Sequence, residues 1–185
     1  MTSLHFRPLV DAKELSGFKC GIEEMDDFIQ NGLDESLVDN HCEAYVVTDI
    51  ANTIVGFFAL CQDTLCLDED YKDDLLNGYS VTKIPNFIDE NEKNAFLHQN
   101  VFTTLDVAYL AVIDNRQRDG IGTAIMNKIF SIARSRQNYT FVTVDALTLK
   151  HRNYSAVGFY LKCGFQPMYP PTSENTVRMF STIFR

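Results

Sequence analysis

The hydrophobic pattern of this chain keeps one rhythm to about residue 66, loses it, and recovers a stronger one after residue 100. Leu4-His5-Phe6-Arg7-Pro8-Leu9 alternates and then meets proline, which predicts a short opening strand. Within Gly21–Ile29, the residues Ile22, Met25, Phe28 and Ile29 share one helical face behind an acidic first turn, so a helix is expected there. A second helix is expected from about Leu33 to Val38. Ala44–Thr48 and Ile54–Leu60 read as strands joined by a turn at Asp49-Ile50-Ala51-Asn52.

Residues 67–100 interrupt this order. Asp68–Leu76 is acidic with helical spacing, Ile84-Pro85-Asn86 breaks it, and Asp89–Phe96 predicts a further short helix. The segment reads as an acidic flap inserted between strands. Beyond it, Leu105–Ile113 is nearly continuous in hydrophobicity, as a central strand is. Gly120–Arg136 predicts a helix with Ile121, Ala124, Ile125, Ile129 and Ile132 toward the core, and Arg134 and Arg136 in its last turn. Phe141–Ala146 reads as a strand, Tyr154–Cys163 as a short helix ended by Gly164, and Phe165–Tyr169 and Thr176–Phe180 as closing strands. The expected fold class is α/β: one domain over residues 1–185, with a mixed, mostly antiparallel sheet of about six to seven strands flanked by helices.

Composition narrows the setting. A chain of 185 residues fits one domain with a sizeable core. No apolar run approaches the roughly 20 residues that span a bilayer. Met1–Arg7 lacks the apolar core of an export signal, so a cytoplasmic protein without membrane partners is expected. Cys20, Cys42, Cys61, Cys66 and Cys163 are scattered and form no CxxC pair, which favours free thiols and neither a metal site nor a catalytic thiol. The net charge of −9 hides an asymmetry: residues 1–100 hold 6 Lys/Arg against 20 Asp/Glu, and residues 101–185 hold 10 against 5. The basic half suits an anion and the acidic half a cation, although charge blocks are also commonly solvated faces.

The anion has a candidate seat. Asn115-Arg116-Gln117-Arg118-Asp119-Gly120-Ile121-Gly122-Thr123 lies between the expected buried strand and the helix after it. A helix start offers unpaired N–H groups and the positive end of the dipole, and glycine lets backbone approach a phosphate. The spacing is neither GxGxxG nor a Walker loop, and on its own the Gly-x-Gly also fits a tight structural turn.

Two ordered blocks decide between these. Leu110-Ala111-Val112 followed by Gln117-Arg118-Asp119-Gly120-Ile121-Gly122 resembles the Q/R-x-x-G-x-G/A signature of GCN5-related N-acetyltransferases (GNAT). Asn153-Tyr154-Ser155-Ala156-Val157-Gly158-Phe159-Tyr160-Leu161-Lys162-Cys163-Gly164-Phe165 is similar to that family's N-x-x-A-x-x-F-Y-x-x-x-G-F block. The resemblance covers about Phe102 to Tyr169. It implies a GNAT sheet, acetyl-CoA as co-substrate, and transfer of its acetyl group to an amine. By the same resemblance, Leu110, Ala111 and Val112 present backbone to the pantetheine arm, and amides of Gln117, Arg118, Asp119, Gly120, Ile121, Gly122 and Thr123 cradle the pyrophosphate. Asn153 bonds the pantetheine, and Tyr160 lies beside the thioester sulfur as candidate general acid. Asp119 departs from the family pattern, because an acid beside a pyrophosphate is unfavourable unless it points away or Arg116 and Arg118 offset it.

Read from residue chemistry alone, Tyr160 next to Phe159 also fits a core aromatic. Asp106 stands four residues before Leu110, where related enzymes place a catalytic base; it fits that role or a hydrogen-bonded structural one, because a buried acid needs a partner. Glu43 and His98 are further candidates. The stretch Phe18-Lys19-Cys20-Gly21-Ile22-Glu23-Glu24-Met25-Asp26-Asp27-Phe28-Ile29 resembles the opening of acetyltransferase toxins, which implies aminoacyl-tRNA as acceptor and an antitoxin partner. The net charge opposes a polyanionic substrate. The expected acceptor is therefore a primary amine of a small molecule or protein, with tRNA as the disfavoured alternative, a homodimer allowed, and a non-catalytic CoA- or partner-binding module as the third reading.

Overall fold

A computed structural model describes residues 3–83, 87–136, 138–171 and 173–183; the break expected at 84–86 lies outside them. Among the described residues, eight strands form the sheet: β1 (His5–Pro8), β2 (Glu43–Thr48), β3 (Ile54–Cys66), β4 (Val101–Val112), β5 (Phe141–Leu149), β6 (Tyr154–Ser155), β7 (Gln166–Pro167) and β8 (Thr176–Thr182). Their order is β1-β2-β3-β4-β5-β8-β7, with β6 paired to β5 off that path. The pairs β1/β2, β2/β3, β5/β6, β5/β8 and β7/β8 are antiparallel. Helices α1 (Glu23–Asn31), α2 (Leu33–Asp39), α3 (Glu69–Leu76), α4 (Glu90–His98), α5 (Ile121–Arg136) and α6 (Val157–Lys162) complete the mixed α/β fold.

The element order follows the hydrophobic pattern, and the differences have local causes. The eighth strand, β6, falls where the sequence predicts helix. Asn153 takes a left-handed conformation at φ 50°, which a short polar side chain tolerates, and this turns Tyr154 and Ser155 onto Leu149 and Thr148. The helix therefore starts only at Val157. Strand β3 runs six residues past the apolar stretch, to Cys66, because the alternation of Leu65 in and Cys66 out continues there. On α5 the buried positions include Met126 and Ala133 beside Ile121, Ile125 and Ile129.

Two compact units emerge, each built from two stretches of chain: residues 1–61 with 107–128, and residues 62–106 with 129–185. In the first, Leu15, Phe18, Ile29, Leu33, Val46 and Phe57 form the core on which α1 and α2 pack. In the second, Phe102, Phe141 and Phe180 from the sheet meet Leu75 of α3 and Phe96 of α4. The acidic flap is thus anchored through aromatic contacts, with Phe96 and Phe102 rings 5.2 Å apart. Lys72 reinforces it: its buried ammonium donates to the Leu97 carbonyl at 2.7 Å and to Asn100 Oδ1 at 2.8 Å. Among the described residues, no helix is long and apolar enough to cross a membrane, and no group of three His, Cys, Asp or Glu side chains is placed to hold a metal ion.

Candidate active site

The first unit carries the loop between β4 and α5. Ile113 donates its N–H to Val55 of β3 at 3.0 Å. Neighbouring N–H groups of an extended strand point to opposite edges, so that of Val112 points away from β3. The chain then makes a 3-10 turn at Asp114–Arg116, closed by Gln117 N–H on the Asp114 carbonyl at 3.2 Å. Arg118 and Gly120 follow at φ 68° and 82°. Nothing lies within 4 Å of the position a Gly120 Cβ would occupy, so the backbone is open on that side. Helix α5 opens with Ala124 N–H donating to the Gly120 carbonyl at 3.0 Å. Among the described residues, the amides of Arg118 through Thr123 meet no acceptor, which suits a doubly charged phosphate ester. The amide of Gln117, already donated to Asp114, does not join them.

Asp119 proves less discordant than its sequence position implies. Its Oδ2 accepts from Arg116 Nε at 2.8 Å, and Arg116 also reaches Asp49 at 3.5 Å. The guanidinium neutralises two acids and is held above its ordinary pKa, chiefly by Asp119. Arg116 is therefore committed to this network, and Arg118 remains exposed on the loop.

The N-terminal motif braces this loop. Gln117 Nε2 donates to the Cys20 carbonyl at 2.6 Å and to the Val112 carbonyl at 3.3 Å. Asp114 N–H donates to the Lys19 carbonyl at 2.9 Å. Gly21 has φ 82°, and a Cβ there would stand 2.7 Å from Asp114 Oδ1, so only glycine admits this approach. Asp26 at the start of α1 accepts from Cys20 N–H at 2.6 Å and Gly21 N–H at 3.2 Å, which locks the strut. Leu110 and Ala111 lie on β4 just upstream, and Ala111 is buried beneath α1 and α2.

The second unit carries Asp106 and Tyr160, the two residues expected to handle protons. Asp106 on β4 is 8% exposed. Its Oδ1 accepts from Thr143 Oγ1 at 2.7 Å and from Arg178 Nη1 at 2.9 Å. Thr143 is itself bonded to Thr104 at 3.0 Å. Burial pushes the Asp106 carboxyl up to about 6, although Arg178 and Thr143 pull the other way, and Asp63 and Asp145 push it further. Among the described residues, Oδ2 meets no donor. Tyr160 in α6 is 6% exposed and packs on Phe159 and Phe165. Burial, then the charges of Tyr154, Cys163 and Asp106, hold its hydroxyl above the ordinary phenol range. Asp106 and Tyr160 thus share one electrostatic neighbourhood. Asn153 caps the 3-10 turn Lys150–Arg152.

The other candidates stand elsewhere. Glu43 opens β2 and accepts from Tyr45, and His98 ends α4 with its Nδ1 at 2.7 Å from the Asn94 carbonyl. Sequence reading missed Thr143, Arg178, Asp63 and Asp145. Their signal was a charge or hydroxyl inside an apolar strand, with Asp145 directly opposite Arg178 in the β5/β8 register. Burial pushes Cys20 up to about 12 and Cys163 to about 11, as unreactive thiols.

Comparison with known proteins gives a family model and a set of solved structures similar to this chain. The family model described as the acetyltransferase (GNAT) domain matches residues 86–167, which hold β4, the loop, α5, Asn153 and Tyr160. That match makes the chain an acyl-CoA-dependent N-acetyltransferase with acetyl-CoA as co-substrate. No curated protein matches the chain. Among solved structures, a bacterial toxin superposes with a TM-score of 0.67 at 17% identity, over 99% of this chain and 92% of that one. AtaTR bound with AcCoA gives 0.65 at 21%, over 97% and 94%. AtaT complexed with acetyl-methionyl-tRNAfMet gives 0.62 at 20%, over 95% and 94%. At these identities the likeness speaks for the GNAT fold.

Proposed function

We propose that residues 1–185 act as one GNAT domain, carrying the 67–100 insertion, that moves the acetyl group of acetyl-CoA directly to a primary amine of a small molecule or protein in the cytoplasm. The observation that carries this reading is the pairing of a buried, half-free carboxylate, Asp106, with a buried hydroxyl held in its donor form, Tyr160. Direct transfer needs a neutral amine, a polarised carbonyl and a stabilised leaving thiolate.

Acetyl-CoA supplies the activated thioester. The chain's own residues do the rest. Amides of Arg118, Asp119, Gly120, Ile121, Gly122 and Thr123 hold the pyrophosphate, with Gln117 bracing them from behind. Leu110, Ala111 and Val112 offer backbone along the pantetheine arm, Asn153 bonds it, and the Val112 N–H polarises the carbonyl. Asp106 accepts the amine's proton through Oδ2. Tyr160 donates a hydrogen bond to the sulfur; its raised pKa makes full proton transfer to a thiolate uphill, so its part is charge stabilisation first and proton delivery second.

Thiol release from acetyl-CoA against a panel of amines and basic peptides tests this reading. Turnover lost in Tyr160→Phe and Asp106→Asn supports it; acetyl-CoA binding with no turnover on any amine would leave a CoA-binding module. A second reading has its own support, because AtaT, so similar in fold, is complexed with acetyl-methionyl-tRNAfMet. In that reading the acceptor is the amine of a charged tRNA and an antitoxin is a partner, and acetylation of aminoacyl-tRNA that fades steeply with salt would favour it. The N-terminal motif does not decide between the two, since its contacts serve the CoA loop. Sedimentation would report whether two copies associate.

A further inference from the structure

The carboxylate corner contains more than a base needs. One guanidinium, that of Arg178 on β8, is wedged among three acids from three other strands. It donates through Nη1 to Asp106 Oδ1 at 2.9 Å and Asp145 Oδ2 at 3.1 Å. Through Nη2 it reaches Asp63 Oδ2 at 2.5 Å. Arg178 is 14% exposed at its side chain and Asp106 11%, whereas Asp63 and Asp145 stand at 44% and 49%. The two outer acids thus hold the arginine from the rim, and the arginine holds the inner acid. On its other side Thr104 and Thr143 form a hydroxyl chain that ends on the same oxygen, Oδ1. Both donors converge on one oxygen and leave the other open.

We propose that Arg178, framed by Asp63 and Asp145, is a positioning residue that fixes the Asp106 carboxylate and sets the pH at which it accepts a proton. This rests on Asp106 being the base. An ion pair whose only task was to join strands would need neither three acids for one cation nor an acid with a vacant oxygen. The charged and titratable groups that face Asp106 are Asp63 from β3, Asp145 from β5, Arg178 from β8 and Tyr160 from α6. Removing the cation leaves the acid buried and unopposed, and removing a rim acid relieves like-charge repulsion. The two kinds of substitution must therefore move the titration in opposite directions.

The test is the pH dependence of kcat/KM for thiol release, run with a carboxyl-carbon NMR titration of Asp106 in the ligand-free protein. Arg178→Gln is expected to raise the acidic limb and the NMR midpoint together by about 1–3 pH units, and Arg178→Lys to restore part of the shift. Asp63→Asn and Asp145→Asn are each expected to lower both by about half a unit to one unit while the protein stays folded. Asp106→Asn separates this proposal from the reading beneath it. If its kcat/KM profile keeps the acidic limb, Asp106 is not the base. If the limb disappears there but the rim and arginine variants leave wild-type midpoints, Asp106 is the base and the positioning role is overturned. Should Arg178→Gln fail to fold, downward shifts in the two rim variants still support the proposal, and unchanged midpoints still overturn it.

Discussion

The loop proposed to hold coenzyme A and the carboxylate corner handle charge in opposite ways. The loop, Asp114 to Thr123, is exposed and presents backbone: N–H groups at a helix start, left-handed turns at Arg118 and Gly120, and a Gln117 side chain that braces it. Its one awkward acid is neutralised at the surface by Arg116. The corner is buried and does its work with side chains, where a methyl-sized change in position or one lost charge alters a proton's affinity. Binding a doubly charged ester tolerates water and needs many weak donors. Tuning one proton needs few groups and little water.

This contrast predicts unequal consequences of substitution. The largest should come from the corner: Asp106→Asn and Tyr160→Phe are each expected to lower kcat by about 10²–10⁴-fold with little change in acetyl-CoA KM. Equal losses in KM would break the division of labour. Next is the strut under the loop. Gly21→Ala puts a Cβ 2.7 Å from Asp114 Oδ1 at a positive φ, so a rise of about tenfold in acetyl-CoA KM is expected, with kcat nearly kept. Calorimetric titration of acetyl-CoA would check it.

A smaller effect concerns stability against pH. The folded Asp106 pKa of about 6 lies above the ordinary carboxyl value of 3.8, so its proton-linked stability is full below about 3.8 and is lost as pH rises through about 6. Asp106→Asn should therefore gain in Tm relative to wild type between pH 4 and 7, although it loses activity. A flat difference would mean that Arg178 compensates the charge fully. The smallest effect is at the surface. Asp119→Asn should tighten acetyl-CoA only about two- to threefold, less so at high salt, because Arg116 already offsets that acid.

Much of the scaffold was legible from period alone. Strands at Leu4–Leu9 and Ala44–Thr48, the helices at Leu33 and at Gly120–Arg136, and both helices of the flap appear where spacing puts them. Local rules failed where a single backbone angle or a partner strand intervened. Tyr154 and Ser155 sit in a segment with helical character, yet the left-handed Asn153 hands them to β5. The Gly-x-Gly loop, Asn153 and Tyr160 stood out as candidates because they follow one another in a fixed spacing. Arg178 could not, because its meaning depends on three acids 33 to 115 residues away.

The sequence by itself determined the order of elements, the presence of a GNAT signature and the asymmetry of charge, since each is a property of neighbouring residues or of counts. Only the tertiary structure decided that the N-terminal motif supports the loop from Asp114 to Thr123, that Asp119 is neutralised, and that Asp106 has a partner on one oxygen and, among the described residues, none on the other. Those outcomes rest on distances between residues far apart in the chain, and burial, which sets the strength of every charge in the corner, exists only once the strands have come together.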